Sequence, residues 1–314
     1  MELQGLIDYG VFFVTFAGIY AILALGLNVQ WGYTGLFNIG VAAFWGVGSY
    51  TTAIFTSPPN DAYLGGFALP VVVGWVAAMV TSGILAFLVG IVTLRLREDY
   101  LAIASIGIAE IVRLVFKNEA WLTNGVRGIA GVPRPLERWL GSSGQLFWIY
   151  LVVVVALVAL LYWLLERARR SPWGRVLRAV REDEAAAAAC GKSVVSFRLQ
   201  AFVAGSMIMG LGGAVYANFV GFVSPEAFDP MYATFLVWVM LIAGGSGNNR
   251  GAILGCFIIW VIWSGTELLI NLYLPPELLA RGSALRLLLV GVLLEVILLT
   301  RPAGLLPEPR SGDR

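Results

Sequence analysis

The sequence predicts an all-α integral membrane protein, a polytopic bundle of about 8–10 transmembrane helices with a glycine-rich second segment able to break. Three observations carry this. The residues are 59% hydrophobic and 13% charged, where soluble domains hold about 25% charged residues; the mean hydropathy is +0.83. The apolar residues fall in runs of about 20, the length that crosses a hydrocarbon core. One long polar stretch, Arg167–Arg198, divides them. Residues 1–314 are therefore expected to form a single transmembrane domain that includes a polar segment at 166–198.

Taken in order, the N-terminus, MELQGLIDYG, lacks the basic region of a signal peptide, so Tyr9–Leu27 is expected to stay as a first membrane helix. Trp31–Phe55 is the second span and the oddest, with Gly32, Gly35, Gly40, Gly46 and Gly48 plus Asn38. These glycines fit either close helix packing or a broken helix, which survives at membrane depth only beside protein or a cavity. Ser57–Asp61 is a loop, and Phe67–Leu94 is a third span. A charged turn, Arg95–Asp99, leads to Leu101–Phe116, a short fourth span carrying Glu110 and Arg113. A Gly- and Pro-bearing loop over Lys117–Gln145 precedes an uncharged fifth span, Leu146–Leu165. Four more follow the polar segment, at Leu199–Phe222, Met231–Gly245, Gly251–Ile270 and Ala284–Thr300, before a Pro-rich tail.

Nine crossings put the termini on opposite sides. With the polar segment cytoplasmic, the inner side holds Arg95, Arg97, eight Lys/Arg in 166–198, Arg250 and three in the tail, against five on the outer side. The positive-inside rule then sets the N-terminus outside and the C-terminus inside. Within the polar segment, Val176, Leu177 and Val180 form an apolar helix edge, Glu182, Asp183 and Glu184 follow, and Gly191 stands where a helix stops. Such an element reads either as a docking surface for a soluble partner or as a solvated loop that fixes topology.

Several chemistries are excluded. With no His there is no His-based metal site, general base or Ser-His triad. Two cysteines, Cys190 and Cys256, lie on different segments and give no disulfide framework. Gly191-Lys192-Ser193 fails as a P-loop because Ala186 stands where its first glycine belongs. The chain is therefore expected to be non-catalytic and to bind neither cofactor nor metal. Gly247, Gly251 and Gly255, four apart, would form a smooth packing face if their helix begins early. Glu110 and Arg113, three apart, are expected to pair as a structural salt bridge. Glu267 and Glu295 have no partner nearby in sequence and so lie near a membrane surface or line a polar cavity. Glu226 and Asp229 mark an outer turn, and Trp31, Trp148, Tyr150 and Trp163 are expected as interface anchors.

From about residue 20 to the tail, the order and spacing of several pieces resemble the LivM-type permease subunits of bacterial branched-chain amino acid ABC importers. The pieces are GLNVQWGYTGLFNIGVAAFWGVGSYTTA, DYLAIASIGIAEIVRLV, LTNGVRGI, GRVLRAVREDEAAAAACG, GFVSPEAF, GGSGNNRGAILG and RPAGLL. The resemblance implies a multi-pass protein of the bacterial inner membrane with a second, H-type permease as partner, two cytoplasmic ABC ATPases, a periplasmic substrate-binding protein and no nucleic acid. It also implies that Val180, Arg181, Glu182, Asp183, Glu184, Ala185 and Gly191 sit where the ATPase-coupling helix belongs, although Glu184-Ala185-Ala186 precedes Gly191 by one residue more than the usual spacing. Asn38, Gly40 and Gly46 are candidates for the pathway or for helix packing. The related readings are a urea or short-amide permease and an ion-coupled secondary transporter. The latter should show acidic residues at the midplane of broken helices, where Glu110 is the best candidate.

Overall fold

The computed structural model describes residues 2–60, 63–94, 98–135, 145–273, 275 and 279–308. Asp61, Arg95, Arg97, Arg138 and the tail past Glu308 lie outside the described residues. The helices run α1 (Glu2–Leu27), α2 (Val41–Thr56), α3 (Val71–Thr93), α4 (Glu98–Asn118), the one-turn α5 (Ala120–Thr123), α6 (Gln145–Arg170), α7 (Pro172–Glu182), α8 (Glu184–Ala189), α9 (Val194–Val220), α10 (Pro230–Gly244), α11 (Asn249–Tyr273) and α12 (Leu279–Thr300). Eight of the nine expected spans coincide with one of α1, α3, α4, α6, α9, α10, α11 and α12, and the second, Trp31–Phe55, is helical as α2 only from Val41. Helices dominate because every backbone group must be paired inside the segment once water is absent.

Among the described residues, five helices are long and apolar enough to cross a membrane: Ile7–Gly32, Val71–Thr93, Phe147–Arg170, Val194–Val220 and Asn249–Ile270. α4 and α12, of 21 and 22 residues, have the length but carry charges. α2 and α10, of 16 and 15 residues, fall short of the ~20 a full crossing needs. α2 is short because the second span is broken. α1 continues into a π-helical turn, Asn28–Gly32, and residues 35–40 are non-helical before α2 begins.

α9 lies at the centre, against α1, α2 and α3. Small residues make that possible: Gly205 meets the backbone of Gly26, and Gly210 that of Gly48, so the helix axes approach closely. The two ends of the bundle are distinct. At one end, a two-residue pairing joins Ile129–Ala130 to Phe222–Val223, and Leu64 N–H donates to Trp121 O. At the other end gather the π-turn, the end of α6, α7, the turn at 245–248 and the tail, with Leu305 and Leu306 N–H donating to Ala243 and Gly244 O. Two of the expected anchors pack against the chain's own residues. Trp31 packs on Phe37 and Trp238, with centroids 5.4 Å from each. Tyr150 is buried and its hydroxyl donates to Val215 O. Trp148 and Trp163 are exposed.

Candidate coupling site and translocation cleft

The polar segment folds as two helices rather than one. α7 opens with Ser171 as N-cap, its Oγ accepting from Gly174 N–H, and with Pro172 in the first turn. It stops at Asp183, whose carboxylate accepts from Ala186 N–H and so caps α8. α8 ends as the sequence predicts. Gly191 has φ +75° and donates to Ala188 O at 2.9 Å, while Lys192 N–H donates to Ala187 O at 3.1 Å. These two bonds form a Schellman C-cap.

The apolar edge of α7 turns inward, including Val180, which the resemblance put on the coupling helix. Leu177 and Val180 are buried within the chain's own body. Arg181 also turns inward: its guanidinium donates to Gly32 O at the end of the π-turn and to Glu308 at 2.7 Å. The outward face is the acidic and alanine-rich one, where Glu182, Asp183, Glu184, Ala185 and Gly191 are exposed. Of these, Glu184 pairs with Arg198.

Beside Arg181 lies a buried polar hub. Asn249 Oδ1 accepts from Asn28 Nδ2 at 3.0 Å and from Tyr33 Oη at 2.7 Å, and Asn28 Oδ1 accepts from Gly247 N–H at 2.8 Å. Asn249 Nδ2 donates to Glu166, which is also held by Arg169 and Arg170. Gly247 is not part of a packing stripe, because α11 starts only at Asn249 and Gly247 is a turn residue with φ +82°. Gly251 and Gly255 do form the smooth face: a Cβ on Gly255 would collide with Met240 O.

Further into the bundle, the break is held by side chains. Gln30 donates to Phe202 O at 2.8 Å and accepts from Asn38 Nδ2 at 2.7 Å. Asn38 Oδ1 accepts from Gly40 N–H, and Asn38 O accepts from Trp238 Nε1. Ser105 on α4 takes Ile39 N–H, and Thr234 on α10 takes Ala42 N–H. Gly40 leaves room for the Ser105 carbonyl, and Gly46 for the rings of Phe116 and Phe228. The break forms one wall of an open cleft of about 940 Å³ between α4, α10 and α12. Its lining is nearly all apolar and includes Phe37, Ile39, Ile106, Trp238 and Leu288, with Glu110 and Asp229 also on its wall. The Glu110–Arg113 pair forms as the spacing predicts, at 2.6 and 2.9 Å. Glu226 reaches Arg113 at 3.5 Å and Lys117 at 3.3 Å, which draws the pair toward the end that carries the 222–228 turn.

Residues 10–298 match the family model described as "Branched-chain amino acid transport system / permease component". The chain belongs to this permease family. It is 33% identical to the high-affinity branched-chain amino acid transport system permease protein LivM of Escherichia coli K12, over 94% of this chain and 69% of that one. The probable branched-chain amino acid transport permease protein LivM of Methanocaldococcus jannaschii is 29% identical over 93% and 91%. Identity to the high-affinity permease protein LivH of Salmonella typhimurium is 26% over 94% of each. No solved structure matches.

Two further charges of this permease, Glu267 and Glu295, have no partner nearby in sequence. Glu267 has one across the helix pair: Arg286 of α12 at 2.8 Å, itself 4.0 Å over the Trp263 ring. Glu295 is exposed on α12 among Val292, Val296 and Leu299. The residues that sequence reading passed over are Asn28, Gln30, Tyr33, Glu166, Asn249 and Glu308. The available signal was two amides, Asn28 and Gln30, inside an apolar run, since such groups stay in a membrane helix only with partners.

Proposed function

We propose that the permease is a non-catalytic membrane subunit of an ATP-driven importer of branched-chain amino acids in the inner membrane, residues 1–314 acting as one domain. Its partners are a second, H-type permease, two cytoplasmic ABC ATPases and a periplasmic binding protein. One observation carries the reading. The segment at 166–198 joins an outward acidic face to the break beside the cleft, through Arg181 and Gly32. From Gly32 the chain needs only two residues back to Gln30, whose side chain holds Asn38 between the cleft-lining Phe37 and Ile39. Motion of a docked ATPase thus has a short covalent and hydrogen-bonded route to the cleft.

The cleft and the outward face of α12 are the side we assign to the second permease. A carboxylate at Glu295 or Glu110, and non-helical backbone at 35–40, are costly against lipid but tolerated against protein or a water-filled path. The apolar walls favour a solute with an apolar side chain over urea or a short amide. An ion-coupled carrier finds less support, because Glu110 is bound by Arg113. The test uses a native probe, since Cys190 is exposed on the coupling segment and Cys256 is buried. An impermeant thiol reagent should label Cys190 only after the inner membrane is opened, and co-expressed ATPase should protect it. Labelling in intact, outer-membrane-permeabilised cells would overturn the orientation, and unprotected Cys190 would overturn the docking.

A further inference from the structure

Away from the cleft, at the end that carries the coupling segment, two cavities meet. One is a polar pocket of about 580 Å³ on the last turns of α6, lined by Tyr162, Trp163, Glu166, Arg167, Arg170 and Ser171. The other is a groove of about 670 Å³ walled by α1, α6 and α11, with Val14, Gly18, Val155, Ala159, Ile253 and Leu254 among its lining. They share Tyr162, and Arg250 lines the groove while donating to the Tyr162 hydroxyl at 2.9 Å. None of the residues lining the cleft comes from α1, α6 or α11.

The chemistry of the joined site is that of an amphiphile with an anionic head. Arg167, Arg170 and Arg250 are exposed around the pocket. Arg167 lies over the exposed Trp163 ring, 5.7 Å from its centroid, the position of a membrane-interface anchor. The single carboxylate there, Glu166, is spent on Arg169, at 2.6 Å, and Arg170, at 2.9 Å. Among the residues lining the two cavities, three arginines therefore face one glutamate. From Tyr162 back to Val155 on α6, and from Arg250 on to Phe257 on α11, the groove runs about 10 Å into the apolar region, at about 1.5 Å per residue. Gly18 packs closely on Val154 and so brings α1 and α6 together at its floor, while the exposed Ala159 keeps one edge shallow enough for a hydrocarbon chain. A soluble anion would use the arginines but not the groove, and a neutral lipid the groove but not the arginines.

We infer that this is a binding site for an anionic phospholipid, its phosphate among Arg167, Arg170 and Arg250 and one acyl chain along α1, α6 and α11. The site needs only that this end of α6 meets a headgroup layer, so it stands apart from the orientation and coupling proposed above. The test is native mass spectrometry of the purified full-length protein, titrated with dioleoylphosphatidylglycerol or dioleoylphosphatidylcholine. Wild type should hold the anionic lipid at least about tenfold more tightly, and the combined Arg167→Gln, Arg170→Gln and Arg250→Gln variant should lose that preference. If the triple variant does not accumulate, Arg167→Gln with Arg250→Gln leaves the Glu166 pairs intact and should still lose most of it. Ala159→Trp, which fills the groove and keeps every arginine, should release the lipid. Equal binding of both lipids, or a preference kept in the arginine variants, overturns the site. Displacement by soluble glycerophosphoglycerol makes it an anion pocket, and cross-linking of Ala159→Cys to another subunit makes it an interface; either result sinks the proposal.

Discussion

At the scale of single residues, Arg181 and the Glu110–Arg113 pair decide most. Arg181 touches both the π-turn and the tail. Arg181→Ala should leave insertion normal and abolish uptake. A double-mutant cycle with Glu308→Ala should give a coupling of about 1 kcal/mol, the upper range for a partly exposed pair. Additive effects would mean that the contact carries nothing. Glu110→Gln should lower the yield of protein more than it changes transport, because it removes the nearer of the two carboxylates that pair with Arg113. A simple charge swap, Glu110→Arg with Arg113→Glu, would bring the new carboxylate beside Glu226, which now pairs with Arg113. Rescue of yield should therefore need Glu226→Gln as a third change. Normal yield with lost transport in Glu110→Gln alone would make Glu110 part of the path instead.

At the scale of elements, the coupling segment separates charge from structure at Asp183. Asp183→Asn keeps the cap of α8 and removes the charge, whereas Asp183→Ala loses the cap at a cost of about 1 kcal/mol. Docking by charge predicts that both variants weaken ATPase association in a pull-down; a purely structural role predicts that Asp183→Asn binds as wild type does. Gly255→Ala should cost about 1–3 kcal/mol by overpacking and lower the yield, since its Cβ would press on the Met240 carbonyl. Wild-type yield from that variant would mean that α10 and α11 separate without penalty. Helix positions were legible in the sequence because apolar runs and end residues such as Gly191 are local signals. The inward turn of Leu177, Val180 and Arg181 was not, because a helix edge looks alike whether it meets a partner or its own chain. α11 begins at Asn249, close to the expected Gly251, and whether Gly247 joins that helix is likewise not a local signal. Gly247 keeps the four-residue spacing, and only the bond from its N–H to Asn28, 219 positions away, makes it a turn.

At the scale of the whole molecule, the two ends of the bundle were legible from the distribution of arginines. The cleft was not, because it is assembled from α4, α10 and α12 and the break at 35–40, which are distant in sequence. Likewise Glu267 looked solitary only because its partner, Arg286, stands on the next helix. The central claim is that motion enters at the coupling segment and that ATP supplies it. The most direct measurement is uptake of a radiolabelled branched-chain amino acid in cells whose ATP is depleted while the proton gradient is held. Uptake should stop, and should return when ATP is restored with the gradient unchanged. Uptake that continues without ATP and collapses with the gradient would make the chain an ion-coupled carrier and contradict the account.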